Sequence, residues 1–124
     1  MVRDMQSERR REAYRAGRFA ETLCVWLLRL KGYRVLVRGW RVPVGEIDIL
    51  ARRGSVLAAV EVKRRGNLID AAAAVGPRQR RRILRALEAY VTRYPALGDL
   101  TLRFDVMLVA PGVPPRHIMG AWRP

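Results

Sequence analysis

From about Ser7 to Leu30, Ala13, Ala16 with Gly17, Ala20, Cys24 and Leu27 with Leu28 recur at helical spacing, with Arg residues opposite them. That period predicts one long amphipathic helix, and Gly32 stands where a left-handed residue closes it. Tyr33 to Val37 is a short β-branched and aromatic run and predicts a first strand. Gly39 to Gly45 (GWRVPVG) is punctuated by Gly and Pro and reads as a loop. Glu46–Arg52 and Val56–Arg64 then alternate around Gly54-Ser55, the pattern of a two-residue hairpin with Gly at a positive-φ position. Residues 65–77 read as a longer connection. Pro77 suits the first turn of a second helix, which Pro95 stops after about Tyr94. Its apolar stripe is Ile83 with Leu84, Leu87, Tyr90 with Val91, and Tyr94. Leu100–Val109 predicts a last strand. The expected fold is α/β: a single domain with a mixed central sheet flanked by helices, in the order α-β-β-β-α-β. It spans residues 1–110, with 111–124 as a Pro-rich C-terminal tail.

Composition changes this picture mainly through charge. Twenty-five basic residues face eleven acidic ones in 124 residues, giving +14 at pH 7. A surface that positive repels itself, and its usual counterpart is a polyanion, most often nucleic acid. All the basic residues but Lys31 and Lys63 are Arg. A GC-rich genome accounts for Arg over Lys, but not for the excess over acid. One cysteine, Cys24, leaves no intramolecular disulfide and fits a reducing compartment. The polar start, MVRDMQSERRRE, does not read as a signal peptide, and no apolar run approaches membrane-spanning length. A cytoplasmic protein is expected.

With so few acids, their placement is informative. By strand alternation Glu46 and Asp48 share one face, with Ile47 and Ile49 on the other; Glu61 and Lys63 likewise share a face. If Gly54 and Ser55 form the turn, Arg53 pairs with Val56, and counting back sets Asp48 opposite Glu61. Directly opposed residues have Cβ atoms roughly 4.5–5.5 Å apart, where two carboxylates repel. An Arg, a shared proton, Lys63 or a divalent cation could offset this. On spacing alone, salt bridging and metal binding both stand. Hard oxygen ligands suit Mg²⁺ or Mn²⁺, which could polarise a phosphodiester while Lys63 stabilises charge developing on phosphate. Glu21, at the edge of the first helix's apolar stripe, is either a further acid of the site or an ordinary boundary residue.

These blocks are shared with a known family. Gly17-x-x-Ala20-Glu21, Gly32-Tyr33, Trp40-Arg41, Gly45-Glu46-Ile47-Asp48, Val60-Glu61-Val62-Lys63-x-Arg65, Ala74-Val75 and Arg103-Phe104-Asp105-Val106 cover most of the chain. The sequence resembles the YraN-like family, uncharacterised proteins assigned as endonucleases. That family lies in the restriction-endonuclease-like superfamily, to which archaeal Holliday junction resolvases also belong. The resemblance implies a restriction-endonuclease-like fold, with Asp48, Glu61 and Lys63 as catalytic residues. It also implies that Glu21 joins Asp48 and Glu61 on a metal, Mg²⁺ or Mn²⁺. Four positions depart from the pattern: Gly39 stands where the family usually has Asn, Gly76 where it has Thr, and Gln79-Arg80 where it has Lys-Gln.

The nucleic acid is expected on Arg78, Arg80, Arg81, Arg82 and Arg85 of the second helix, on Arg65 and Arg41, and on Trp40. Trp40 is as readily core as a base-stacking ring. Trp26 and Cys24 read as core, His117 as a solvated residue of the tail, and Asp105 as a partner of Arg103. There is no zinc-ligand spacing and no triad. Three functions follow: a divalent-metal-dependent endonuclease on DNA, branched or non-duplex forms included; a nucleic-acid-binding protein that keeps the fold without turnover; and an Arg-rich protein on structured RNA. The expected partner is nucleic acid, DNA over RNA, with no membrane and with a homodimer open.

Overall fold

The structure, a computed structural model, describes residues 2–123, with side chains for all of these but 2–4, 13–14 and 71–73. Helix α1 (Val2–Leu30) leads into strands β1 (Arg34–Val42), β2 (Gly45–Arg53) and β3 (Val56–Arg64). A short helix α2 (Leu68–Ala73), helix α3 (Pro77–Arg93), a 3-10 turn (Pro95–Asp99) and strands β4 (Thr101–Val109) and β5 (Arg116–Trp122) complete the chain. The five strands form one mixed sheet in chain order, with β3 and β4 parallel and every other pair antiparallel. No helix among the described residues is long and apolar enough to cross a membrane.

Each face of the sheet is buried by one helix. Ile83, Ala86, Leu87 and Tyr90 of α3 pack on Ile47, Leu50, Leu57, Ala59, Phe104, Val106 and Leu108. Ala20, Cys24, Val25 and Leu28 of α1 pack on Ile49, Ala51, Ala58, Val60, Met107 and Val109. α1 ends where expected: Gly32 takes φ 90°, and the Tyr33 N–H returns to the Leu28 carbonyl at 2.9 Å. The apolar stripe of α1 is confirmed from Ala20 onward; Ala13 lies outside the described side chains. Trp26, expected in the core, is 58% exposed because Val25 and Leu28 take the buried positions. Its ring is covered instead by the Arg29 guanidinium at 5.4 Å.

The expected order α-β-β-β-α-β is present, with three differences. β1 continues to Val42 through the segment read as a loop, with Gly39 accommodated in the strand at φ 63° and the one register shift against β2 falling between Val35 and Val37. The 65–77 connection contains α2, which is started by Asn67: its side chain accepts from the Asp70 N–H at 2.9 Å and donates to the Asp70 carboxylate at 2.8 Å. The 111–124 segment is not a free tail, since β5 adds a fifth strand to β4.

A buried acid ties that strand down. Asp105, fully buried on β4, accepts two bonds at 2.8 Å from Arg103, one at 3.0 Å from the Gly120 N–H and one at 2.8 Å from His117 Nε2. The Arg103 pairing is the one expected. His117, expected in solvent, is enclosed, with Lys31 Nζ at 2.8 Å from Nδ1, so the imidazole donates from Nε2 while Lys31 donates to it. Burial pushes the Asp105 carboxyl up, but the bonds from His117, Arg103 and Gly120 outweigh it and hold it at about 2.

Helix α3 meets β2 at Gly45. A Cβ there would sit 1.9 Å from the Arg82 carbonyl oxygen and 2.7 Å from its carbon, both backbone atoms of α3. Only Gly allows this approach, so Gly45→Ala must push the helix off the strand. The expected loss is about 3 kcal/mol or more, at the upper end for overpacking, and a urea midpoint unchanged from wild type would refute it.

Candidate active site

The two acids of the hairpin meet where its strands part. The β2–β3 register runs from Arg53↔Val56 to Ile49↔Val60, as alternation predicts, and the ladder stops there. One step on, the Asp48 side chain rather than a strand carbonyl accepts the Val62 N–H, at 2.9 Å. On the β1 side the register is kept at this level but one pair is missing. Arg38 pairs with Ile49 and Trp40 with Ile47, leaving Gly39 and Asp48 between them unpaired. Alternation therefore breaks in β2: Ile47 lies in the core under α3 and Ile49 in the core under α1. The expectation that both isoleucines share a face opposite Glu46 and Asp48 fails for this reason.

Glu61 is 4% exposed. Lys63, on the same side of β3, places Nζ 3.2 Å from Glu61 Oε1, and Gln79 Nε2 of α3 donates to that oxygen at 2.5 Å. Glu61 and Asp48 are close enough to shift each other's ionisation. Burial above all, and then the neighbouring Asp48, push Glu61 up to about 8 against the pull of Lys63. Burial also raises Asp48, opposed by the Val62 N–H and by its bond with Glu61. Two carboxyls and one ammonium thus share the site, and burial favours a proton on Glu61.

Glu21 lines the same clefts as Asp48 and is ion-paired there. Its carboxylate accepts from Arg38 Nε at 2.8 Å and lies 3.5 Å from Arg18, while Arg38 also holds the Thr22 hydroxyl at 2.9 Å. Among the described residues no three His, Cys, Asp or Glu side chains gather at metal-binding distance, so Glu21 does not join Asp48 and Glu61 as a third ligand in this arrangement. Two carboxylates are nonetheless a fitting donor set for Mg²⁺ or Mn²⁺, which commonly take one or two protein carboxylates and fill the remaining positions with water and phosphate. The elevated Glu61 and Asp48 show a pair whose charge calls for a cation or a proton.

Asp48 opens onto solvent through a cleft between α1 and β2. Gly17, Arg18, Ala20 and Glu21 line it from α1, with Arg41, Val62 and Arg64 from the strands, around about 240 Å³. Of its three guanidinium groups only Arg41 was expected at the nucleic acid. Arg18 and Arg64 were missed because a long helix and a strand end bring them together from distant parts of the chain, and no spacing signals that. Arg65 is exposed just beyond β3. On α3, Arg78 and Arg82 border a second cleft with Glu46 and Gln79, while Arg80 and Arg81 face the opposite flank. Arg85 is exposed. Trp40 packs edge to face on Tyr90 at 5.1 Å, partly buried against the core under α3. Cys24 is fully buried, and its thiol is pushed to about 12 by burial and by Glu21 and Asp48, so it carries no thiolate near neutrality.

Residues 20–109 match the uncharacterised protein family UPF0102. A UPF0102 protein of Parvibaculum lavamentivorans is 57% identical over 112 residues, 90% of this chain and 84% of its own length. Another, from Methylobacterium nodulans, is 48% identical over 96% of this chain and 92% of its own. A third, from Bradyrhizobium sp. (strain ORS 278), is 48% identical over 94% and 82%.

Proposed function

The chain belongs to the UPF0102 family, the YraN-like family that its motifs resemble, and on that premise we propose that it is a divalent-metal-dependent endonuclease hydrolysing phosphodiester bonds in DNA. One observation carries the reading: the buried carboxyl of Glu61 and the half-buried carboxyl of Asp48 meet at a strand fork beside Lys63, and Asp48 opens into an arginine-lined cleft. A structural acid pair in so basic a chain would be neutralised by Arg. Here no Arg pairs with either acid among the described residues.

Asp48 and Glu61 would hold Mg²⁺ or Mn²⁺, and when bound the ion supplies Lewis-acid polarisation of phosphate and acidifies water. The chain's own residues do the rest. The Val62 N–H fixes the Asp48 carboxylate, and Gln79 fixes Glu61 from α3 in the place where the family usually carries Lys. The Lys63 side chain is 12% exposed, so its charge is little screened and can stabilise negative charge developing on a phosphate oxygen. Arg18, Arg41 and Arg64 meet the flanking phosphates. Because Glu21, in the same cleft as Asp48, is already ion-paired with Arg38, a binding protein without turnover is the competing reading.

Incubation with single-stranded, duplex and branched DNA and with structured RNA, in Mg²⁺, Mn²⁺ or chelator, decides between them. Metal-dependent cutting of at least one DNA form is expected, with none in chelator. Binding without cutting on the whole panel would favour the competing reading, and cutting of RNA alone would overturn the substrate.

A further inference from the structure

Beyond the acid pair, the start of α3 meets the end of β5 in a cavity of about 190 Å³, lined by Pro77, Arg80, Arg81, Leu84, Trp122 and Arg123. Three arginines, Arg80, Arg81 and Arg123, thus border one concavity with no carboxylate side chain among the described residues that line it, and none of the three is ion-paired among the described residues. Like charges gathered this way are offset by an anion. α3 adds its own field, since its N-cap, Gly76, supplies no side-chain acceptor to the first turn. A second feature points the same way. Trp122 is 8% exposed, and its indole N–H is the buried side-chain donor that lacks an acceptor among the described residues. The Arg80 guanidinium lies over that ring at 5.4 Å, and the other side of the wall is held by stacking of Trp122 on Phe104.

Topology relates this cavity to the acids. Trp122 pairs with Phe104 on β4, and Val106, two residues on, pairs with Glu61 on β3. Two strand spacings of about 4.8 Å separate β5 from β3, so the cavity lies on the order of 10 Å from Glu61. That distance is within a few steps of a duplex, whose rise is roughly 3.4 Å per step along its axis and whose successive phosphates on one strand lie farther apart than that. Resting on the nucleic-acid reading above, we propose that this cavity is a phosphate subsite that grips the substrate backbone a few nucleotides from the acid pair, with Arg80, Arg81 and Arg123 as its ligands.

The protein has three tryptophans, so its indole N–H resonances are three, identified by single Trp→Phe variants. Wild type is titrated in metal-free, low-salt buffer with a short DNA oligonucleotide and, separately, with inorganic phosphate. The oligonucleotide should move the Trp122 resonance while leaving that of exposed Trp26 in place. Arg123→Ala, at an exposed position beyond β5, should reduce that response and flatten the dependence of log affinity on log salt by about 0.9, one phosphate contact. A still Trp122 resonance, or an unchanged salt slope in Arg123→Ala, would overturn the subsite. Movement with inorganic phosphate but not with DNA would reassign it to a free phosphate. Because metal is absent, the outcome is separate from cutting: a protein that cuts while Trp122 stays still loses only this proposal. One that responds at Trp122 but cuts nothing loses only the nuclease.

Discussion

Glu61→Gln is expected to make the metal-free protein more stable than wild type at pH 8, and to remove most of its loss of stability between pH 5 and 8. In the folded chain burial holds the proton on Glu61 up to about 8, against an ordinary value of 4.5. Between those values the native state binds a proton that the unfolded state has released. Stability must then fall as pH rises through that window. At about 1.4 kcal/mol per pKa unit the loss amounts to several kcal/mol. The 4% exposure of the Glu61 side chain leaves little solvent screening to reduce it. Glutamine keeps the shape and can still bond Gln79, and it leaves one carboxylate, Asp48, near one ammonium, Lys63. Mn²⁺ should flatten the wild-type slope by taking the place of the proton and should do little for the variant. Urea midpoints at pH 5, 6.5 and 8, with and without Mn²⁺, provide the measurement. A wild type equally stable across this range, or a Gln variant that falls in parallel with it, would show that the pair carries no such strain.

The site was legible in the sequence where it depended on period and turn chemistry. Gly54-Ser55 set the register of the hairpin, and the register brought Asp48 and Glu61 together. Illegible was the way they meet. Counting residues assumes an unbroken ladder, whereas here the side chain of Asp48 takes the Val62 N–H and the strands fork. Gly39, read as a loop signal, is the strand's answer to that fork on the β1 side. Gly45 likewise looked like punctuation, though its role is steric: it lets the Arg82 turn of α3 close on β2 and so carries Gln79, one turn earlier, to Glu61. Glu21 came from resemblance, and its position near the cleft is right, but nothing local in the sequence announced Arg38 as its partner. β5 was hidden by the Pro and Gly residues before it. Its hold on the sheet comes from Asp105, whose bonds to His117 and Gly120 are long-range and leave no periodic trace.

The largest effect on activity is expected from Asp48→Asn. Asparagine is isosteric and its Oδ1 can still accept the Val62 N–H, so the fork should persist and the variant should fold. What it lacks is the negative charge a divalent cation needs from one of only two carboxylates. Even a single hydrogen-bond donor at a reacting centre is worth roughly 10²–10³ in rate, so cutting should fall by about 100-fold or more. DNA affinity should hold or rise, because Arg18, Arg41 and Arg64 remain and a carboxylate facing phosphate is gone. Wild type should gain thermal stability from Mn²⁺ by mass action, about 2.7 kcal/mol at a hundred times the dissociation constant, and the variant should not. Lys63→Ala separates metal holding from chemistry: it should keep or strengthen the stabilisation by Mn²⁺ while losing cutting, since its charge serves the phosphate and competes with the ion for Glu61. Equal stabilisation of wild type and Asp48→Asn by metal, or cutting by Asp48→Asn at the wild-type rate, would remove Asp48 from the metal site. An Asp48→Asn variant that unfolds, beside a wild type that ignores metal and cuts nothing, would leave the acids as structural partners of Lys63 and Gln79 in a nucleic-acid-binding protein.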